Sequence, residues 1–354
     1  MFVLAINSGS QTLKYKLYEP VNFSLVKNGE IKDIGFGTVK DHFGALEKVK
    51  EDLAEEADEI KVIGHRYVNG GTEFLNPELI DETNFKALEK YHSLAPLHNP
   101  NNFLGIQAAQ KYFPKAKNVA VFDTAFYQDL PQVAKLYALN FEVTKKNHYQ
   151  RLGFHGISHR YASIKAAEKL GKDFSRLKII SLHLGGGASI TAIRFGRAIE
   201  TSMGFTPSEG LSMMTRSGDL DPGIILDLFR QGLLVEEVDQ LINRESGIYG
   251  LCGKKSMLEV LDNLTEEKTK LAFDIFVYRI KKYLGAYYAV LGGCDLLVFT
   301  GTIGSGREET RQAILDDLFF APQCTSIAIE TDEEIIIGKD AFQKYQEISQ
   351  EKIS

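Results

Sequence analysis

The chain opens on an apolar run, Phe2 to Ile6, then a small polar stretch, Asn7 to Thr12, then the alternating segment "LKYKLYE". A branched apolar run bounded by turn residues reads as a buried strand. Strict alternation reads as a strand with one covered face. The pattern therefore predicts strand, small-residue turn, strand. It recurs in the middle of the chain, where "KIISLHL" leads into "GGGAS", "ITAIRF" and "GRAIET". We read this as an internal duplication, one copy opening each half. The two copies share little identity, so common hairpin physics is the alternative.

Helical periodicity fills the remainder. "SHRYASIKAAEKLG" has Ser158 as a candidate N-cap and Gly171 as a stop signal. "DPGIILDLFRQG" places Pro222 in a first turn and ends at Gly232. "TEEKTKLAFDIFVYRIKKYLGAYYAVLGG" predicts a long helix with Leu271, Phe273, Ile275, Phe276, Ile280 and Leu284 on its buried side. "CDLLVFTGTIGSG" predicts a buried strand running into a third glycine turn, and "EEIIIGKDAFQKYQEIS" a C-terminal helix. Alternating strands and helices give an α/β class with mixed sheets. With no linker or low-complexity segment, we expect two lobes closely packed around a cleft.

Composition narrows the function classes. A chain of 354 residues, 44% hydrophobic and 25% charged, is ordinary for a globular protein and long enough for two domains. A net charge of −6 provides no broad basic field for nucleic acid. Cys252, Cys294 and Cys324 are far apart and odd in number, without zinc spacing, as expected in a reducing cytosol. The N-terminal run lacks a basic n-region and a cleavage site, and no apolar run approaches membrane-spanning length, so no membrane partner is expected.

The candidate chemistry is that of phosphate. Three small-residue turns, Asn7 to Thr12, Gly185 to Ser189 and Gly301 to Gly306, each follow an apolar strand. Such turns present backbone N–H groups to anions. None is a Walker A loop or a dinucleotide fingerprint. Lys14 stands just past the first turn, placed either to reach a phosphate or to lie exposed on a strand. His65 and Arg66 end an apolar strand, and an arginine there suits bidentate capture of carboxylate or phosphate as well as a structural ion pair. His98 sits in a stiff polar loop between two prolines and close to asparagines, and Asp123 ends the strand "VAVFD". His155 lies between glycines, while His159, in the following helix, reads as a satisfied core histidine. Arg216 lies in the glycine-rich segment 200–223 and suits charge stabilisation in phosphoryl transfer. Glu333 or Glu334 suits Mg²⁺ held through water, or a helix N-terminus.

Together "NSGSQTLKYKLY", "GHRYVNGG", "LAPLHNPNN", "VFDTAF", "GFHGISH", "HLGGGAS", "TSMGFTPSEG" and "TRSGDLDPG" resemble acetate kinases, in that family's order over nearly the whole chain. The resemblance implies a duplicated two-lobe actin-like ATPase (ribonuclease H-like) fold. The lobes would be 1–148, completed by a C-terminal helix 333–354, and 149–332. It implies a cytoplasmic homodimer that interconverts acetate and ATP with acetyl phosphate and ADP, using Mg²⁺ or Mn²⁺. Carried over by motif, Asn7 and Glu333 would hold the metal. Ser10, Thr12 and Lys14 would face nucleotide phosphate, joined by His183, Leu184, Gly185, Gly186 and Gly187. Arg66 would hold the acetate carboxylate or acetyl phosphate, and Val68, Leu97 and Pro207 would shape the methyl pocket. Asp123 would be the essential carboxylate, and His155 and Arg216 would stabilise the phosphoryl group, in direct in-line transfer under lobe closure.

The departures from the family pattern gather on the nucleotide side. Gly186 stands for an asparagine, and Met257 and Glu259, flanking Leu258, stand for aspartate and arginine. Thr302 replaces a glycine in the run Thr302, Ile303, Gly304, Ser305 and Gly306. Met214 replaces a glycine and Asn69 a histidine. The alternatives are an enzyme using pyrophosphate, orthophosphate or another nucleotide, and a non-catalytic homologue.

Overall fold

The computed structural model describes residues 1–96 and 98–351, which form two compact units. One contains Met1–Gln128 and the chain from Asp332 onward, and the other Asp129–Thr331. Residues 129–148 bond within the second unit. Tyr137 Oη accepts from Phe205 N–H at 2.8 Å, and the Lys135 carbonyl accepts from Arg151 N–H at 2.7 Å.

The first unit is built on β1 (Phe2–Ser8), β2 (Leu13–Glu19), β3 (Ser24–Ile31), β4 (Ile60–Tyr67), β5 (Glu78–Leu79) and β6 (Lys117–Phe122), in the order β3-β2-β1-β4-β6-β5. β1 to β3 form an antiparallel meander, β4 runs parallel to β1, and β6 parallel to β4. The inward residues Leu4, Ile6, Leu13, Leu17 and Ile63 pack against Ala45, Leu46 and Val49 of the helix His42–Asp52, and Ala108 and Ala109 of the helix Asn99–Tyr112. The C-terminal helix Glu333–Glu351 lies on the sheet beside β1 and β4. Gly64 permits this approach: a Cβ there would lie 2.7 Å from the Ile337 carbonyl oxygen and 2.8 Å from Ala341 Cβ.

The second unit contains β7 (Lys178–Leu184), β8 (Ala188–Arg194), β9 (Arg197–Thr201), β10 (Leu296–Thr300) and β11 (Thr325–Ala328), ordered β11-β10-β7-β8-β9. β7 to β9 again form an antiparallel meander, and β10 and β11 again extend the sheet in parallel from the first strand. The duplication is therefore present as topology, with β5 an added edge in the first unit. The helices Gly156–Lys169 and Glu267–Leu291 pack against this sheet.

Several local expectations are corrected. The helix at 156 is capped by His155, and Ser158 lies inside it. His155 has φ 56°, a left-handed conformation unusual for a residue with a Cβ, and Ser158 Oγ meets His183 Nδ1 at 2.8 Å. Leu271 is 56% exposed, because the buried stripe of its helix runs through Ala272, Phe273, Phe276, Val277 and Ile280. The third glycine turn is a single helical turn, Gly301–Gly304. His98 stands at the N-cap position of the helix Asn99–Tyr112, and Asn99 and Asn102 begin that helix buried.

Candidate active site

In the first unit, three neighbouring parallel strands β1, β4 and β6 deliver Asn7, Arg66 and Asp123 at their carboxyl ends, where α/β sheets commonly bind ligands. The C-terminal helix adds Glu333 and Glu334 in its first turn. Arg66 donates to Asp123 Oδ2 through Nη2 at 2.7 Å and Nε at 3.2 Å. Its Nη1 lies 3.1 Å from Glu333 Oε2 and donates to Asn7 Oδ1 at 3.3 Å. Asn7 Nδ2 donates to Glu333 (3.0 Å) and Glu334 (3.1 Å).

Asp123 is fully buried and the Arg66 side chain 18% exposed. Burial by itself lowers the Arg66 guanidinium, but the charges of Asp123 and Glu333 outweigh it and hold the group above its ordinary value. Glu334 is pushed above the ordinary carboxylate range by burial, and further by Glu333. His65, next to Arg66, is pushed down to about 4 by burial, opposed by its 2.8 Å bond to Asn118. It is neutral at physiological pH and structural.

The surrounding frame is amide-rich. Asn102 accepts from Val68 N–H (3.1 Å) and donates to the Ser8 carbonyl (2.6 Å), tying the ends of β1 and β4 to one helix. Asn69 is buried, and its Oδ1 accepts from Gly71 N–H at 2.8 Å. Val68 is 5% exposed. Leu97 lies outside the described residues. Of the first turn, Ser10 and Lys14 are exposed, and Thr12 is half-buried with its carbonyl accepting from Gly9 N–H at 2.7 Å. Lys14 stands opposite Asn7 on β2.

In the second unit, the turn Gly185–Gly187 follows His183 and Leu184 at the end of β7. A Cβ on Gly187 would lie 3.3 Å from His155 Cε1, 3.4 Å from His155 Nε2 and 3.4 Å from an Arg216 terminal nitrogen. The missing side chain thus leaves one position faced by an imidazole and a guanidinium. Arg216 donates to the Pro207 carbonyl at 3.2 Å, and among the described residues it has no ion pair with a carboxylate. Burial lowers its pKa. His155 stacks on His183 at 4.1 Å, and its Nδ1 meets Ser189 Oγ at 2.9 Å. A Cβ on Gly186 would meet nothing within 4 Å, whereas one on Gly185 would lie 3.5 Å from Thr302 Oγ1.

The other nucleotide-side residues have local partners. Met257 is 6% exposed and Leu258 58% exposed. Glu259 accepts from Lys255 N–H at 3.0 Å, at the start of the helix Met257–Asp262. Ile303 is buried, and Ser305 Oγ donates to the Gly301 carbonyl at 2.8 Å. Arg311 secures the loop by donating to the carbonyls of Gly304 (3.1 Å) and Gly306 (2.7 Å).

A glycine turn thus lies beside an arginine that has no ion pair among the described residues in one unit, and an arginine lies between carboxylates in the other. The acetokinase family model matches residues 2–348. The chain belongs to the acetokinase family. An acetate kinase of Campylobacter concisus is 42% identical over 342 residues, 90% of this chain and 86% of that protein. The acetate kinase structure from Porphyromonas gingivalis superposes with a TM-score of 0.88 at 36% identity, covering 97% of this chain and 99% of that one. A propionate kinase structure from Francisella tularensis gives 0.88 at 33% identity, with the same coverage. This acetokinase is a kinase enzyme with the duplicated actin-like ATPase fold.

Sequence reasoning took Ser158 as a helix cap and Ser189 as the end of a glycine turn, passed over Ser181, and took His159 as a core residue. The available signal was Ser181 and His183 two apart in an otherwise apolar strand, and so on one face of it. Among the described residues, no group of three or more His, Cys, Asp or Glu is arranged to hold a metal ion directly.

Proposed function

We propose that the chain is an acetate kinase, transferring a phosphoryl group reversibly between ATP and acetate to give ADP and acetyl phosphate. The observation that carries this is the position beside Gly187, faced by both His155 and Arg216. An anionic phosphoryl oxygen there would meet an N–H donor and an unpaired cation in a largely buried setting. Stabilisation of developing charge in that way is the main catalytic resource of phosphoryl transfer. The turn Gly185–Gly187 would take nucleotide phosphate, with Thr302 alongside.

Arg66 would take the acetate carboxylate or acetyl phosphate, since a guanidinium can bind a second oxyanion while Asp123 keeps it oriented. Asp123 then acts by positioning Arg66, and Val68 would bound the acetate methyl. Asn7 and Glu333 supply oxygen donors only, a set that fits a hard cation such as Mg²⁺ keeping most of its water, with Mn²⁺ a substitute. When bound, the ion would offset phosphate charge.

We further propose a cytoplasmic homodimer. The helix Pro222–Arg230 has no buried residue and exposes Ile224, Leu226 and Phe229, an apolar face suited to a second copy. The free cysteines suit a reducing compartment.

Purified protein given acetyl phosphate and Mg²⁺ should convert ADP to ATP. Turnover with orthophosphate in place of ADP, and none with any nucleoside diphosphate, would overturn the nucleotide reading. Absence of turnover with every acceptor would overturn the enzyme reading.

A further inference from the structure

One face of the second sheet is polar where a core is usually apolar. Ser181 and His183 on β7 stand opposite Thr191 and Ser189 on β8, and the helix Gly156–Lys169 covers them with Ser158 and His159. Ser158, His159, Ser181, Ser189 and Thr191 are all fully buried. Such burial is costly unless every group finds a partner.

The partners form a chain. His159 Nδ1 lies 2.9 Å from Ser181 Oγ, and its Nε2 lies 2.8 Å from Ser189 Oγ. The same Ser189 Oγ lies 2.9 Å from His155 Nδ1. Burial, and then the neighbouring His183, push His159 well below its ordinary pKa, so it stays neutral with one N–H. Each hydroxyl also has one proton, so a chain in which Ser189 both donates and accepts has two self-consistent directions. In the first, Ser181 donates to His159 Nδ1, His159 Nε2–H donates to Ser189, and Ser189 donates to His155 Nδ1. A neutral His155 then carries its proton on Nε2. In the second, every donor reverses and His155 Nδ1–H donates to Ser189. His155 is held by Nδ1 in both, which leaves Nε2 toward Gly187 and Arg216.

We propose that Ser189, His159 and Ser181 are positioning residues. They hold the His155 ring by Nδ1 and couple its tautomer to that of His159, so that Nε2 faces the anion beside Gly187. This rests on the reading that His155 serves the transferring phosphoryl group. His155 lies in left-handed backbone at the helix start, where its ring direction depends on such contacts.

Ser189→Ala removes one hydroxyl and keeps the strand. With acetyl phosphate and ADP, kcat should fall about 10- to 100-fold, as for partners that orient metal-bound imidazoles. KM should stay within about twofold, the mark of a contact that matters mainly in the transition state. The ¹⁵N signals of the His155 ring should move toward a tautomer mixture. Ser181→Ala should shift the His159 and His155 signals in the same sense with a smaller loss of kcat, and Ser189→Thr should recover most of kcat. Wild-type kcat with unchanged ¹⁵N signals in Ser189→Ala would overturn the proposal. So would a kcat loss matched by loss of folded protein, with unchanged His155 signals in the folded fraction. His155→Ala separates the premise: wild-type turnover there would sink the role of His155, while the ¹⁵N coupling would still report on the relay.

Discussion

The two sheets of this acetokinase share a strand order, and their opening hairpins match in length: β1 and β7 have seven residues each, as do β2 and β8. They differ at the tip. Ser8 pairs with Leu13 around residues 9–12, whereas Leu184 pairs with Ala188 around Gly185–Gly187 alone. The penultimate residue of the first strand is Asn7 in one and His183 in the other. At its strand ends the first unit balances charge against charge, with Arg66 between Asp123 and Glu333. The second ties His155 and the buried His159 to serine hydroxyls and leaves Arg216 without an ion pair among the described residues. One scaffold thus supports an arginine paired with carboxylates and an arginine without an ion pair among the described residues.

The largest test of this contrast is Arg66→Ala. It strands the fully buried Asp123 without its counter-ion, and removing one partner of such a pair costs about 3–5 kcal/mol. Urea unfolding should show that loss, and acetyl phosphate turnover should fall about a hundredfold or more. Arg216→Ala leaves no carboxylate behind. Turnover should fall about a thousandfold, while unfolding free energy changes by less than about 1 kcal/mol. Equal destabilisation by the two variants would break the comparison.

A subtler test is Glu334→Gln. The folded protein holds the Glu334 proton more tightly than the unfolded chain, because its pKa lies above the ordinary 4.5. Ionisation of Glu334 therefore opposes folding. The cost is absent below the ordinary carboxylate value, grows as pH rises toward the raised value, and is constant above it. Glu334→Gln should gain stability over wild type as pH rises from the ordinary carboxylate value through the raised one, read as urea midpoints on both sides of that window. A gain toward low pH would reverse the assignment. The smallest effect is expected of Gly186→Asn, whose side chain enters open space: stability should move by less than about 0.5 kcal/mol. Gly187→Ala, by contrast, puts a methyl between His155 and Arg216, and should depress turnover in a protein that still folds. Thermal melts paired with ADP phosphorylation assays separate the two glycines.

Much of the fold was legible locally. The strand–turn–strand pattern marked both hairpins, and Pro222, Gly171 and Gly232 sit at or just beyond real helix ends, the two glycines with positive φ. The errors also have local causes. Ser158 looks like an N-cap because serine caps well, but a hydrogen bond to His183 competes for its hydroxyl. Leu271 fits helical periodicity, yet one residue of rotation puts it in water. Met257 and Glu259 stood out against the family pattern, while only the packed chain shows that one is buried and the other bonds a helix start.

By itself, the sequence determined the α/β class, the strand–turn–strand pattern in both halves, the glycine turn after β7 and the identity of Arg66, Asp123, His155, Arg216 and Glu333 as candidates. These are carried by local backbone preference and motif. Tertiary structure alone decided which of them meet. Asn7, Arg66, Asp123 and Glu333 are as much as 326 residues apart, and they converge because parallel strands end side by side and Gly64 lets the last helix approach the sheet. It also decided that His159, a satisfied core residue by every local criterion, is hydrogen-bonded to the serine that holds His155. Hydrogen bonds between distant strands depend on register and burial, which no single segment encodes.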